Sequence, residues 1–239
     1  MFKKIVVFGG SGAIGGAICS NLRKDYPSSE IFSFSRTTNH LNLSNVYEHR
    51  IDYKDENSLK YCAEISSKNC DIDLVVVAIG LLHNSNMMPE KAISHLSFEK
   101  FQTIFEVNTI IPAMIGKYFI PKLNKDRKSV FAVLSARVGS ISDNKVGGWY
   151  SYRSSKAALN MIVKNFSIEV VRKNNNAIIV GLHPGTVASN LSEPFQGNVE
   201  KTRLFEPDYA AKKLISVLEV LSKSSSGKCF AWDGKEIFP

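Results

Sequence analysis

Short apolar runs recur along the chain at Ile5–Phe8, Ile31–Phe34, Leu74–Ile79, Val130–Leu134 and Ile178–Leu182. They are rich in Val and Ile, and most are apolar at successive positions instead of alternate ones. Strands buried on both faces of a parallel sheet read this way. Helix-length segments lie between them. Ala13–Lys24 carries Ile14, Ala17, Ile18 and Leu22 at helical spacing, and Ser58–Lys68 follows more weakly. Ser97 suits an N-cap before Phe98–Leu123, a stretch that Pro112 and Pro121 should interrupt or end. Tyr150–Lys173 is a long amphipathic pattern, and Pro207-Asp208 opens a helix running to about Ser222. Gly227–Trp232 reads as a last strand. Strand and helix alternate from end to end, which predicts a single α/β domain over residues 1–239. The expected fold is a Rossmann-type doubly wound parallel sheet of about seven strands with helices on both faces.

Composition changes this picture little. The chain has 239 residues, 44% hydrophobic and 22% charged, an ordinary balance for a globular domain with a full core. No segment approaches the roughly 20 apolar residues of a membrane span. The apolar run after Met1-Phe2-Lys3-Lys4 stops at Gly9-Gly10, too short for a signal peptide, so a cytoplasmic protein is expected. Cys19, Cys62, Cys70 and Cys229 form no C-x-x-C and no metal-ligand spacing; reduced thiols and no metal are expected. The net charge of +8 comes from scattered Lys and Arg. No nucleic-acid-binding signature accompanies it, though it would favour approach of a polyanionic dinucleotide.

The first strand runs into Gly9-Gly10-Ser11-Gly12-Ala13-Ile14-Gly15-Gly16. A glycine turn at a strand tip, followed by a helix, lets backbone N–H groups and the helix dipole meet a pyrophosphate. Two registers fit. Gly10-x-Gly12-x-x-Gly15 matches the general Rossmann fingerprint. Gly9-x-x-x-Ala13-Ile14-Gly15 matches the T-G-x-x-x-G-I-G form of short-chain dehydrogenases/reductases, with Phe8 for Thr and Ala13 for the middle Gly. Gly9, Ser11, Gly12, Ala13, Ile14 and Gly15 are the candidate phosphate contacts. A methyltransferase loop or a merely tight turn could look similar. Strand two ends Ser33-Phe34-Ser35-Arg36, with no acid to hold a ribose 2′-OH. Arg36 could instead bind a 2′-phosphate, so NADP(H) is expected over NAD(H); a solvated Arg is the alternative. Asp52 is placed to meet the adenine edge, or else is a helix cap or turn residue.

Tyr152 and Lys156 lie four residues apart early in a helical pattern, hence on one face. An ammonium beside a phenol favours phenolate and so lowers the pKa of a Tyr acid/base. Alone, Y-x-x-x-K is common; after the glycine loop in a βαβ chain it gains weight.

Taken with Leu134-Ser135-Ala136-Arg137-Val138-Gly139-Ser140 and Gly147-Gly148-Trp149-Tyr150-Ser151-Tyr152, the chain resembles the short-chain dehydrogenase/reductase family, in its C-factor-like and sniffer-like carbonyl reductase branch. The resemblance implies a catalytic tetrad of Asn, Ser, Tyr and Lys, here Asn108, Ser135, Tyr152 and Lys156. The usual second Ser of the Ser-Ser-x-x-Gly motif is Ala136, so Ser135 is the nearest hydroxyl and Ser140 the alternative. It implies that Asn108 holds a water in a proton relay. It implies that Tyr152, Lys156, Ala78 and Gly80 meet the cofactor, although the family's Asn-Asn-Ala-Gly reads Val77-Ala78-Ile79-Gly80 here. It further implies that Pro184, Gly185, Val187 and Ser189 meet the nicotinamide, with His183 a structural neighbour. Leu191–Phe205 would form a flap, with Phe195 and Leu204 as apolar candidates.

The expected activity is reversible hydride transfer between NADP(H) and a small-molecule carbonyl or alcohol, in a homodimer or homotetramer built on the long helices. A dinucleotide-binding regulatory protein with little turnover is the alternative, and a methyltransferase a distant third.

Overall fold

The structure is a computed structural model that describes every residue except Met1, Asn39, His40, Asn42 and Val199. The five apolar runs become β1 (Lys4–Phe8), β2 (Glu30–Ser35), β4 (Leu74–Val77), β5 (Ser129–Leu134) and β6 (Ala177–His183), and the polar segment Val46–Arg50 adds β3 at the sheet edge. Two short strands, β7 (Thr186–Val187) and β8 (Leu204–Phe205), pair as a separate parallel ribbon. β9 (Lys228–Ala231) and β10 (Glu236–Ile237) end the chain. The main sheet has eight strands in the order β10-β9-β6-β5-β4-β1-β2-β3. All its pairs are parallel except β9 with the short edge strand β10. The expectation of about seven strands therefore holds for the parallel part.

Why the runs are continuously apolar is visible in their packing. Ile5 and Val7 of β1 join a buried cluster with Ile18 and Leu22 of α1 (Ala13–Asp25) and with Leu214 and Leu218 of α6 (Pro207–Val220). Val6 and Phe8 face the other way. They meet Leu59 of α2 (Glu56–Ser66), Ile115 and Phe119 of α4 (Ile111–Phe119), and Leu159 and Val163 of α5 (Tyr150–Val170). Successive strand residues point to opposite faces, and here both faces are covered. Phe8 meets Phe119 edge-on at 4.8 Å between ring centres, a favourable aromatic geometry.

Helix starts obey local chemistry. The Asp55 side chain accepts from the Asn57 N–H at 2.9 Å and caps α2, which begins two residues before the predicted Ser58. The Ser97 side chain accepts from the Lys100 N–H at 3.2 Å and caps α3 (Phe98–Phe105). The predicted Phe98–Leu123 helix is broken as Pro112 and Pro121 require. Between α3 and α4, Glu106–Ile110 forms a π-helical turn, in which the Ile111 N–H reaches back to the Glu106 carbonyl. Pro112 has no N–H to offer the Asn108 carbonyl four residues back, so the regular ladder cannot pass through this point. Pro121 lies in a final 3₁₀ turn, Ile120–Lys122. No helix among the described residues is long and apolar enough to cross a membrane, and no metal-ligand cluster occurs among them.

Candidate active site

β1 sits between β2 and β4, the point where the strand order reverses and where ligands of doubly wound sheets collect at the carboxyl edge. The glycine loop occupies that edge. Gly9 has φ +82°, and a Cβ there would lie 2.5 Å from the Ala78 carbonyl oxygen. A Cβ on Gly15 would lie 2.2 Å from the Gly9 carbonyl oxygen, and one on Gly10 2.0 Å from Ser33 Oγ. At Gly9 and Gly15 the clash is with backbone and excludes any side chain; at Gly10 it is with the Ser33 hydroxyl. Gly12 is the extended N-cap of α1. The first intrahelical bond is that of the Gly16 N–H to the Gly12 carbonyl. The N–H groups of Ala13, Ile14 and Gly15 therefore have no helical acceptor, and such a helix start fits an anionic ligand. The Ser11 N–H is held by Ser35 Oγ at 2.9 Å.

Arg36 directly follows β2 and is exposed, with Ser35 and no acid at the strand end. Asp52 lies just past β3 and accepts the Lys54 N–H at 2.9 Å. It is thus a turn residue, and Asp55 is the helix cap. Strand β4 ends at Val77, short of the predicted Ile79, so Ala78 to Gly80 leave the sheet at this edge.

Tyr152 and Lys156 are one turn apart near the start of α5, and both are buried. Lys156 Nζ donates to the Leu134 carbonyl at 2.8 Å and lies 5.8 Å from the centre of the Tyr152 ring. Burial pushes the Tyr152 phenol up to about 12, against the lowering expected from the pairing. The cause is desolvation, which disfavours the phenolate. The same effect pulls the Lys156 amine down to about 8.

Asn108 lies in the π turn and is fully buried. Its side chain accepts from the Leu81 N–H and donates to the Leu81 carbonyl, each at 2.8 Å, and donates to Ser155 Oγ at 3.1 Å. The side chain thus braces the segment after β4, which reads Val77-Ala78-Ile79-Gly80 in place of Asn-Asn-Ala-Gly, while the Asn108 main-chain carbonyl has no N–H to accept from Pro112. Gly80 is exposed, and a Cβ on it would lie 3.5 Å from Asn108 Oδ1 and 3.7 Å from Lys156 Nζ.

The serines depart from expectation. Ser135 Oγ donates to Asn160 Oδ1 at 2.7 Å. Ser140 Oγ meets Ser142 Oγ and accepts the Asp143 N–H. It is Ala136 that shares a buried cluster with Tyr152, together with Leu82, Met87 and Ile104. Neighbouring residues of an extended chain point oppositely, and the phase here turns Ser135 toward Asn160. Both candidate hydroxyls have other partners.

Packed on that cluster are Leu81, Val138, Trp149, Leu191 and Phe195. Phe195 lies 4.9 Å from Trp149, and Trp149 meets Tyr152 at 6.2 Å between ring centres. Within the flap segment, β8 pairs with β7, and residues 193–198 form 3₁₀ turns. Phe195 belongs to the site, whereas Leu204 serves the ribbon. His83 bonds the carbonyls of Asn190 and Leu191 through Nε2, at 3.0 and 3.1 Å. Gly185 has φ +81° and abuts Phe205, Val187 is buried, and Ser189 Oγ bonds the Val187 carbonyl. Pro184 opens this turn after His183, whose imidazole burial holds at about 4.

Three residues at the site escaped the sequence reading: Trp149, His83 and Glu90. Trp149 adopts a left-handed conformation (φ 50°, ψ 44°) after two glycines of positive φ, Gly147 and Gly148. A non-glycine residue there costs about 1–3 kcal/mol, and the Gly-Gly pair was the signal available. His83 and Glu90 sit in a polar loop that reads as surface. Of the four free cysteines, Cys19, Cys62 and Cys229 are buried and Cys70 is exposed.

Comparison with known proteins agrees with this geometry. The chain is 32% identical over 172 residues to 1-hydroxy-2-glutathionyl-2-methyl-3-butene dehydrogenase of Rhodococcus sp. strain AD45, covering 72% of this chain and 70% of that protein. It is 29% identical over 146 residues to C-signal of Myxococcus xanthus, covering 61% of this chain and 82% of the other. The solved structure of carbonyl reductase Sniffer of D. melanogaster superposes with a TM-score of 0.87 over all of both chains, at 19% identity. The short chain dehydrogenase family profile matches residues 3–199. The chain therefore belongs to the short-chain dehydrogenase/reductase family, oxidoreductases that use a nicotinamide dinucleotide.

Proposed function

We propose that the protein is an NADP(H)-dependent carbonyl reductase, a single domain that interconverts a small carbonyl compound and its alcohol. The observation that carries this reading is a buried Tyr152, with Lys156 one turn on, set in an apolar cluster in a chain whose first strand ends in a glycine loop closed to side chains at Gly9 and Gly15.

The loop suits a dinucleotide. Gly9, Gly12 and Gly15 keep the backbone bare, Ser11 is tied to Ser35, and the Ala13, Ile14 and Gly15 N–H groups are left for phosphate oxygens. Arg36 would take the 2′-phosphate, which supports NADP(H) over NAD(H). Asp52 would close the adenine end. Ala78, Gly80, Pro184, Gly185, Val187 and Ser189 would line the nicotinamide end. Bound there, the dinucleotide supplies or accepts a hydride.

The chain's own residues handle the proton. With its phenol pushed up to about 12, Tyr152 enters the reaction protonated and gives that proton to the carbonyl oxygen as negative charge develops on it. Lys156 would bind the nicotinamide ribose and stabilise the phenolate left behind. Asn108 holds Leu81 in place, and the opening at Gly80, between Asn108 and Lys156, would let solvent return the proton. Ser135 then acts as a brace through Asn160, not as a donor to substrate. Trp149, Phe195 and Leu82 favour an apolar or aromatic substrate. Three buried free thiols suit a reducing, cytoplasmic setting. Exposed Met161 and Ile168 on α5, with Ile110 on the π turn, would serve a dimer or tetramer.

A second reading, a dinucleotide-binding regulatory protein, is favoured by one observation: Ala136 puts a methyl group where a second donor to the substrate is expected. C-signal is among the relatives. Following NADPH absorbance across a panel of aliphatic, aromatic and dicarbonyl compounds separates the two. Turnover of at least one supports the reductase. Tight NADPH binding with no turnover supports the regulator.

A further inference from the structure

Helix α5 carries Tyr152 as its third residue, yet nothing in its own sequence caps it. Its N-cap is Trp149, left-handed and without a side-chain hydrogen bond. The chain enters the helix through three consecutive residues of positive φ, Gly147, Gly148 and Trp149. Such an entry is poorly determined by local chemistry, because a Ser, Thr, Asp or Asn normally fixes it.

The missing cap comes from 59 residues upstream. Glu90 is fully buried. Its main-chain carbonyl accepts the Trp149 N–H at 2.6 Å. Its side-chain Oε2 accepts the Ser151 N–H at 3.3 Å. Gly148, beside the same Glu90 carbonyl, has φ +65°, a conformation that favours glycine. The other carboxyl oxygen, Oε1, is buried with no hydrogen-bond partner. A buried acid with one oxygen unmatched is costly, and the positive end of a 21-residue helix is what offsets it.

We infer that Glu90 is a positioning residue: it caps α5 from outside and thereby fixes both Tyr152 and the Trp149 wall of the substrate site. Two contacts link it to the chemistry. Ser151, the residue it binds, directly precedes Tyr152. Trp149, which its carbonyl holds, packs on Tyr152 and on Phe195. Releasing the cap frees the first turn of α5, and the phenol and the indole move together. Small displacements of a proton donor cost a large factor in rate.

This inference rests on the reductase reading for its kinetic arm alone. Glu90→Met keeps the volume and removes the side-chain acceptor of the Ser151 N–H, leaving the main-chain bond to Trp149; Glu90→Gln keeps that side-chain acceptor. In full-length protein, Glu90→Met should lower kcat for a turned-over carbonyl about tenfold or more. Its NADPH Kd should stay within about twofold, because the glycine loop is untouched. Glu90→Gln should recover most of kcat. In a Trp232→Phe background, Trp149 fluorescence should shift in Glu90→Met and stay near the parent in Glu90→Gln. The fluorescence arm stands even if no carbonyl is turned over, which keeps failure here distinct from failure of the reductase reading. Parent-like fluorescence in Glu90→Met overturns the inference, and so does equal disturbance by both substitutions.

Discussion

Lys156 keeps its amine 5.8 Å from the centre of the Tyr152 ring while donating to the Leu134 carbonyl. Both groups are withdrawn from water, and burial moves their titrations apart, Lys156 toward about 8 and Tyr152 toward about 12. Each is held nearer its neutral form than it would be in solvent.

A pH dependence of stability follows. The unfolded chain keeps the Lys156 proton up to its ordinary value of 10.5. Between about pH 8 and 10.5 the unfolded state therefore binds more protons at this site, and stability rises with pH. For Tyr152 the folded state holds its proton between 10.0 and about 12 while the unfolded chain gives it up, so stability falls over that window. Lys156→Met removes the first effect. Its stability advantage over the parent should shrink by about 2 kcal/mol between pH 7 and 9.5, measured by urea denaturation. An advantage that does not change with pH contradicts the burial argument.

Arg36 is tested by cofactor titration. Arg36→Asp should weaken NADPH binding by about tenfold to a hundredfold, the worth of a charge-assisted bond or two, and leave NADH binding nearly unchanged. A parent that prefers NADH removes the 2′-phosphate role.

The serine question has a direct answer in turnover. Ser135 is bound to Asn160, so Ser135→Ala should keep activity within a few-fold if it remains folded. Ala136→Ser adds a hydroxyl in the cluster that holds Tyr152. A second donor to a developing oxyanion is worth about 10²–10³ in rate when well aimed, so turnover should rise. Loss of activity in Ser135→Ala without loss of stability would restore Ser135 as a substrate donor.

The edge opposite the site carries stability alone. Asp73 is fully buried and accepts from the Lys3 and Lys4 N–H groups and from Arg127 Nε and Nη2, at 2.9 Å for each Arg127 nitrogen. Asp73→Ala should cost about 3 kcal/mol, the low end for a buried pair because Arg127 is partly open to water. Activity per folded molecule should not change.

The sheet was legible because both its faces are covered, so Ile5–Phe8 and its counterparts read as unbroken apolar runs. Tyr152, Lys156 and the glycine loop were legible because each is a local spacing. The orientation of Ser135 was not, since it depends on the phase in which β5 ends, and Ser135-Ala136 reads alike in either phase. The π turn at Asn108 showed only as Pro112. The β7–β8 ribbon joins pairs too short for any periodicity. Glu90 stands between Pro89 and Lys91 and reads as solvated loop; only the fold brings it under α5.

The central claim is that Tyr152 supplies the proton. Its sharpest test is kcat for NADPH-dependent carbonyl reduction in Tyr152→Phe, with NADPH affinity measured on the same sample. Turnover should be abolished and NADPH binding largely intact. Full turnover in that variant would contradict it.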